Sequence, residues 1–288
     1  MNHSADPARF AEMFSPRVFH RMARGVDSRF FESLAEHSGI VHEPGQRIFD
    51  VFDHAFSRLN RPGIRGDLVY RNAIVQKRWL NTHSLNTVTV LGEQRVGSSR
   101  ADLVMLNGLA TGIEIKSDID SLSRLESQMR DYSKVFPKTM VVTGSKHVTE
   151  VARLVPATTG IVELTKRNTL RTLVPAKEDY SFIDLGAVAA SLRLEDARAL
   201  LTLAGREIPD VPNTRVWQEV RKGLSRLEPP EVCSLYSSVL KLRRSKAQFG
   251  KYLDQLPPAV QTILLLGSFT EPEWINISSA MARGLEEL

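Results

Sequence analysis

Hydrophobic residues recur at helical spacing through the first third of the chain. Three stretches have this spacing: 8–38, 45–59 and 67–80. In the second of them, one face of the expected helix is apolar. Its members are Ile48, Phe52, Ala55, Phe56 and Leu59. We therefore expect a helical region over residues 1–85.

The pattern then changes to the alternation that is typical of strands, interrupted by one longer helical stretch. Strands are predicted at 86–96, 101–106, 112–116 and 138–144, and a hairpin at 160–176. A helix is predicted at 120–136, where apolar residues return to helical period, and a short helix at 146–154. This order predicts an α/β core over residues 86–178.

From about residue 180 onward the pattern is helical again, with Pro, Gly and Asn between the segments. The chain is thus expected to have three regions. Residues 1–85 form helices that pack on the core, residues 86–178 form the core, and residues 179–288 form a helical C-terminal domain. The predicted fold class is α/β, a mixed sheet flanked by helices with an α-helical C-terminal extension.

Composition limits the class of protein. The 288 residues are 42% hydrophobic and 25% charged, which is ordinary for a globular protein. The longest apolar run, near residues 262–269, is far shorter than the ~20 residues of a membrane helix. The single cysteine, Cys233, excludes an intrachain disulfide. We expect a cytoplasmic protein without a membrane partner, and the net charge of +5 permits a polyanionic one.

Two acids and a lysine stand within the apolar strands 101–106 and 112–116. If the turn between them centres on Leu109, Asp102 faces Lys116, and Glu114 is its diagonal neighbour. The three side chains then share one face of the hairpin, because side chains alternate along a strand. Ile113 and Ile115 point the other way, into the core.

Two converging carboxylates are costly unless a cation lies between them. Carboxylate oxygens suit Mg²⁺ or Mn²⁺, and a neighbouring lysine can activate a water or neutralise charge on a phosphate. Asp102, Glu114 and Lys116 therefore indicate metal-assisted hydrolysis of a phosphodiester. The alternative interpretation is a surface hairpin with solvated charges.

The segment "SRADLVMLNG…GIEIKSDIDSLSRLESQMRDYSKVF…MVVTGSKH" resembles the PD-(D/E)XK nuclease superfamily. It is similar to a little-characterised bacterial group with an R-A-D-I…E-I-K-S-D-x-D-T-L-x-R-L…Q…Y signature. The resemblance covers roughly residues 88–175, although Ala101 stands where the superfamily name calls for proline. It implies a restriction-endonuclease-like sheet.

The resemblance also implies a role for each matching residue. Asp102 and Glu114 would ligate Mg²⁺, with Mn²⁺ as a substitute, and the carbonyl of Ile115 would assist. Lys116 would position the attacking water, and Gln128 and Tyr132 would act together from one helix face. Tyr132 also fits a purely apolar helix stripe.

One further acidic ligand is expected upstream. Glu93, borne by a strand, is the favoured residue, and Asp53, borne by a helix, is the alternative. Asp118 and Asp120 most simply cap the helix that follows them. His147 fits either a cleft or an ordinary surface position.

Basic residues outside this segment are candidates for phosphate contacts. The set predicted to bind nucleic acid consists of Arg100, Lys166, Arg167, Arg243 and Arg244. The alternative for such residues is a solvated helix face.

The function expected from these observations is a Mg²⁺-dependent nuclease acting on DNA, in phage defence or DNA repair. The alternative is a catalytically inactive nucleic-acid-binding or assembly module of the same fold. The C-terminal helices would serve target recognition, a homodimer or a partner subunit.

Overall fold

A computed structural model of the protein describes residues 7–25, 30, 33, 35–36, 45–207 and 211–284. The chain forms two compact units. The terminal unit combines residues 1–81 with 246–288, and the sheet unit consists of residues 82–245. The three regions expected from the sequence are consecutive, whereas here the two ends of the chain share one unit. The helices between residues 82 and 245 belong to the same unit as the sheet.

Within the described residues, the α-helices are numbered α1 to α12 in chain order. They span Pro7–Met13, Pro16–Ala23, Ile48–Leu59, Asp67–Ala73, Leu125–Ser133, Val148–Leu154, Leu185–Ser191, Leu194–Leu203, Asn213–Leu224, Pro229–Arg243, Pro258–Leu266 and Glu271–Ala282. A π-helix, Ile74–Leu80, continues α4, and a 3₁₀-helix spans Ala247–Gln255. None of these helices has the length and apolar character that crossing a bilayer requires.

The terminal unit is built on aromatic contacts between helices. The ring of Phe52 on α3 meets Phe14 edge-on at 5.5 Å, and Phe249 stacks on the buried Trp274 of α12 at 4.8 Å. The predicted helix 8–38 is interrupted here, since α1 ends at Met13 and a proline begins α2. Part of that prediction, including residues 31 and 34, lies outside the described residues.

The sheet unit contains one six-stranded sheet whose strands lie in chain order. The strands β1 to β6 span Thr89–Val96, Ser99–Asn107, Leu109–Lys116, Lys138–Gly144, Gly160–Leu164 and Leu170–Val174. The central strands β3, β4 and β5 are parallel, and the pairs at both ends are antiparallel. The predicted class, α/β with a mixed sheet, flanking helices and further helices toward the C-terminus, is confirmed.

Helices cover the central strands and form the main core of this unit. Helix α5 packs on β2, β3 and β4, and α10 packs on β2 and β3. Phe136 lies between Tyr132 and Tyr236, with ring centroids 6.2 Å from each. A Cβ atom on Gly112 would lie 2.3 Å from the Phe136 ring, so the absence of a side chain there lets this ring lie against β3.

Candidate active site

The β2–β3 hairpin brings the two predicted carboxylates to the same place. Its turn centres on Gly108, whose φ of 72° is readily adopted by glycine, and Leu103 pairs with Ile113. Continuing this register places Asp102 opposite Glu114. The predicted turn at Leu109 was therefore wrong, and Asp102 does not face Lys116. The shared face survives the error because the shift is two residues, a full period of the strand.

The pairing of β2 with β3 stops at this point, although both strands continue. β2 remains paired with β1 as far as Ser99, and β3 remains paired with β4 as far as Lys116. The two strands thus separate just where the acids lie. Backbone groups that lose ladder partners inside a protein need others.

Two of the site side chains supply those partners. The Oδ2 atom of Asp102 accepts a hydrogen bond of 2.7 Å from the amide of Ile115. The hydroxyl of Tyr132 lies 2.8 Å from the carbonyl of Arg100, to which it can donate. Asp102 and Tyr132, which the resemblance assigns to the active site, therefore provide hydrogen-bond partners for the backbone where the two strands separate.

Glu114 and Lys116 form a buried ion pair inside this separation. Their side chains are almost fully buried, and the Lys116 Nζ atom lies 2.9 Å from the Oε1 atom of Glu114. The same ammonium donates to the Gln128 Oε1 atom at 2.9 Å, and the Tyr132 hydroxyl contacts the Oε2 atom of Glu114. The interpretation as a surface hairpin with solvated charges is thereby wrong for this pair.

The two isoleucines of β3 point to the opposite face, as predicted. Ile113 and Ile115 are buried, so β3 is covered on both sides. A strand that is buried on both faces holds its polar side chains in fixed directions, because neighbouring atoms leave them little room.

Tyr132 lies in the core and also reaches the candidate site, while its catalytic role stays a prediction. Its ring packs in the core against Phe136, and its hydroxyl reaches Glu114. Burial, and then the charge of Glu114, raise the pKa of the Tyr132 phenol well above its usual range. The phenol therefore stays protonated and acts as a hydrogen-bond donor. Its one proton is shared between two acceptors, the Glu114 carboxylate and the Arg100 carbonyl.

Replacing Tyr132 by Phe is expected to lower the free energy of unfolding by about 1–3 kcal/mol, because the contacts to Glu114 and to the Arg100 carbonyl are lost. Urea denaturation measures this. Tyr236→Phe is the matched control, since that buried hydroxyl has, within the described residues, only a 3.4 Å contact with Ser191. An equal loss in both variants would mean that the Tyr132 hydroxyl has no special role in the sheet.

The two carboxylates are ligands of the type that a hard cation such as Mg²⁺ prefers. Asp102 and Glu114 provide carboxylates, and Mg²⁺ is commonly bound by one or two carboxylates and several waters. Within the described ranges, no group of three or more His, Cys, Asp or Glu side chains is arranged to hold a metal. The third acid that the resemblance implies stays a prediction.

The two candidates for that third acid differ in their location. Glu93 lies in the sheet unit, and the pairs on either side of it place it opposite Asp102. It is exposed and has a left-handed backbone with φ of 56°, unusual for a residue other than glycine. Asp53 lies on α3 in the terminal unit.

The segment between β3 and α5 does not cap the helix as predicted. Helix α5 begins at Leu125, and the residue before it, Arg124, makes no side-chain cap. Asp120 instead accepts a hydrogen bond of 2.8 Å from the amide of Ser117. It holds a turn directly after β3, because its carboxylate reaches back toward the strand.

The basic residues predicted to contact nucleic acid fall into three places. Arg100 is exposed on β2 and is paired with the exposed Arg95 of β1. Neither has an ion pair within the described residues. Lys166 and Arg167 are exposed in the turn between β5 and β6.

Arg243 and Arg244 have internal partners instead. At the end of α10, both guanidinium groups bind Asp196 of α8, at 2.7 Å and 2.6 Å, and Arg243 also reaches Glu195. Asp196 is 1% exposed. The two arginines join helices, and their contact with nucleic acid stays a prediction.

One buried acid of the sheet is absent from the residues predicted from the sequence. Glu163 on β5 is 5% exposed, accepts from the Ser145 hydroxyl at 2.5 Å and forms an ion pair with Arg171 at 2.6 Å. It stands in register with Thr143, which is in register with Lys116. The indication was present, since "GIVEL" has an acid within an apolar strand just as "GIEIK" does.

Glu163→Gln is expected to lower the free energy of unfolding at neutral pH by about 1–2 kcal/mol. The Ser145 hydroxyl and then Arg171 hold the pKa of Glu163 below its usual value, although burial opposes them. A carboxyl with a lowered folded-state pKa stabilises the protein above its unfolded-state pKa, and the contribution is lost as the pH falls through the folded-state pKa. Urea denaturation at neutral and acidic pH should therefore show the difference from wild type shrinking in acid. Glu150→Gln, an exposed change, is the control.

Comparison with known proteins adds a family. The family model described as "Bacteriophage P4 protein cII" matches residues 65–248. The curated "Protein cII" of Enterobacteria phage P4 is 38% identical over 86 residues, which cover 29% of this chain and 33% of that protein. The chain therefore matches about a third of that relative's length. No solved structure matches significantly. The family match includes the whole sheet unit and so all the site residues described above.

Proposed function

The chain belongs to the family of bacteriophage P4 protein cII, and we propose that it is a divalent-metal-dependent nuclease that hydrolyses phosphodiester bonds in DNA. One observation carries the proposal. Five residues spread over 31 positions, from three secondary-structure elements, converge on the separation between β2 and β3. They are Asp102, Glu114, Lys116, Gln128 and Tyr132.

The chain's own residues have distinct tasks in this proposal. Asp102 is held by the Ile115 amide, so its other oxygen has a fixed direction. Glu114 is oriented by Tyr132, and Lys116 is oriented by Gln128. The ammonium of Lys116 then offers a fixed positive charge to a water or to the phosphate, where negative charge builds up during hydrolysis.

Asp102, Glu114 and the Ile115 carbonyl are the groups that would hold a Mg²⁺ ion, or Mn²⁺ in its place. A bound cation of this kind would polarise the phosphodiester and lower the pKa of a bound water. Glu93 is the residue that would add a further carboxylate, since it lies opposite Asp102 in the same unit.

The proposal includes a restriction-endonuclease-like arrangement of the sheet. It is supported by the order of elements, an antiparallel hairpin that bears the acids, then α5, then the parallel strand β4. A cytoplasmic role in phage defence or DNA repair, with the C-terminal helices binding a second copy or a partner subunit, is the setting that we propose for this activity.

The test is a cleavage assay on linear and circular DNA with the purified protein. Degradation in Mg²⁺ or Mn²⁺ that stops in EDTA is the expected result. No cleavage of either substrate in any divalent cation would contradict the proposal. A parallel assay on RNA of the same sequence shows whether the protein cleaves DNA in preference to RNA.

A second candidate is a nucleic-acid-binding or assembly module that does not cleave. It is favoured by the ion pair itself, because both oxygens of Glu114 already have partners in Lys116 and Tyr132. A metal titration by calorimetry separates the two candidates. Binding of DNA without any response to Mg²⁺ or Mn²⁺ would support the binding module.

A further inference from the structure

The carboxyl ends of β3, β4 and β5 lie at one edge of the sheet, because these three strands are parallel. Ligands in α/β proteins commonly bind outside the carboxyl ends of such strands. Ser117 follows β3 directly, and the segment Ser145–His147 follows β4. Lys116 and Thr143 are in register, so these two strand ends are neighbours.

Two polar atoms at this edge are buried and have no hydrogen-bond partner in the described part of the chain. They are the Oγ atom of Ser117 and the Nε2 atom of His147. Ser117 is 1% exposed. A buried polar group without a partner is costly, and it calls for a specific explanation such as a bound water or ligand.

The surrounding backbone is held in place without using these atoms. The amide of Ser117 is bound by Asp120, whose carboxylate is thereby directed to the backbone. The hydroxyl of Ser145 is bound by the buried Glu163, so the segment after β4 is attached to β5. Between these anchors, Lys146 is exposed and has no ion pair within the described residues.

We propose that Ser117, Lys146 and His147 bind one phosphate group of the DNA backbone at this edge of the sheet. A hydroxyl, an imidazole N–H and an ammonium are all donors, and together they suit an oxyanion. The site lies at the carboxyl end of β3, directly after Lys116, so a DNA strand bound there would lie near the candidate active site. This inference rests on the proposed function and names how the substrate would be held.

The test is the binding of a fluorescein-labelled DNA duplex, followed by fluorescence anisotropy in EDTA, where no metal-dependent cleavage occurs. Ser117→Ala and Lys146→Ala are each expected to weaken binding about tenfold, and Lys146→Ala also to reduce the salt dependence by about one phosphate contact. The control is Lys177→Ala, an exposed lysine whose amide binds Thr158, before β5 and thus at the opposite edge. Its affinity should equal that of wild type.

The melting temperature of Ser117→Ala separates a binding role from a structural one. Removing a hydroxyl that has no partner should leave the melting temperature unchanged or raise it, while DNA affinity falls. A lower melting temperature with unchanged affinity would mean that a structural water satisfies the hydroxyl, and it would overturn the proposal. Unchanged affinity in both variants would overturn it as well.

The outcomes also distinguish this site from the nuclease activity. Wild-type protein that cleaves DNA, with Ser117→Ala and Lys146→Ala variants that bind and cleave equally well, would overturn the phosphate site alone. The expected loss of affinity in both variants, in a protein that never cleaves, would support the site and contradict the nuclease. Wild-type protein that does not bind DNA would overturn the phosphate site.

Discussion

Glu114→Gln is expected to reduce DNA cleavage in Mg²⁺ by about a thousandfold, because the variant loses a charged ligand at the place where charge must be stabilised. Glutamine keeps the shape of the side chain, and its single amide oxygen can still accept a hydrogen bond from either Lys116 or the Tyr132 hydroxyl, while the NH2 group faces the other partner. The amide is a poor ligand for Mg²⁺ compared with a carboxylate. Initial rates of cleavage, measured over a range of Mg²⁺ concentrations, give the effect.

The matched control is Glu126→Gln on α5. This glutamate is exposed and pairs with the exposed Arg130 on the same helix, so its loss should leave the rate unchanged. Circular dichroism and urea denaturation show whether each variant is folded. A folded Glu114→Gln protein that cleaves as fast as wild type would contradict the proposed mechanism.

Asp196→Ala is expected to have the largest effect on stability, about 3 kcal/mol, because it removes two charge-assisted hydrogen bonds from the partly exposed Arg243 and Arg244. Asp196 is 1% exposed and binds Arg243 at 2.7 Å and Arg244 at 2.6 Å. The contact joins α8 to the end of α10, and α10 packs directly on β2 and β3. Urea denaturation at neutral pH measures the loss.

Glu195→Ala is the matched control for this prediction. It removes the neighbouring acid, whose side chain is 77% exposed and binds the same Arg243 at 2.8 Å. An exposed ion pair contributes at most about 1 kcal/mol. Equal losses for the two variants would mean that burial of Asp196 contributes nothing. If Asp196 does behave as expected, substitutions of Arg243 or Arg244 will perturb folding as well as any contact with DNA.

Local patterns were enough to predict most of the sheet. The strand predicted at 138–144 is found as Lys138–Gly144, because apolar β-branched residues are bounded there by a proline and a glycine. The shared face of Asp102 and Glu114 was also predictable, since a strand alternates whatever its partner. The register was not, because it depends on which residue of the loop takes the left-handed conformation, and that residue is Gly108.

Two other features depend on contacts that a local pattern does not contain. Alternation in β3 indicates one buried face, but the helices that cover the other face lie elsewhere in the chain, so the burial of Glu114 and Lys116 was not predictable. The ion pair of Asp196 with Arg243 joins residues 47 positions apart. From the sequence alone, the basic run at 240–246 was indistinguishable from a phosphate-binding surface.

The separation of β2 from β3 has a consequence for judging which relatives of this protein are active. A relative that lost cleavage would still need an acceptor at the position of Asp102 and a hydroxyl at that of Tyr132, because the Ile115 amide and the Arg100 carbonyl depend on them. Glu114 and Lys116 differ, since a buried ion pair can often be exchanged as a whole for apolar residues without loss of stability. Natural selection for folding alone would thus preserve Asp102 and Tyr132, whereas Glu114 and Lys116 could be substituted. Under the proposed function, joint retention of Glu114 and Lys116 is the better criterion for a relative that cleaves DNA.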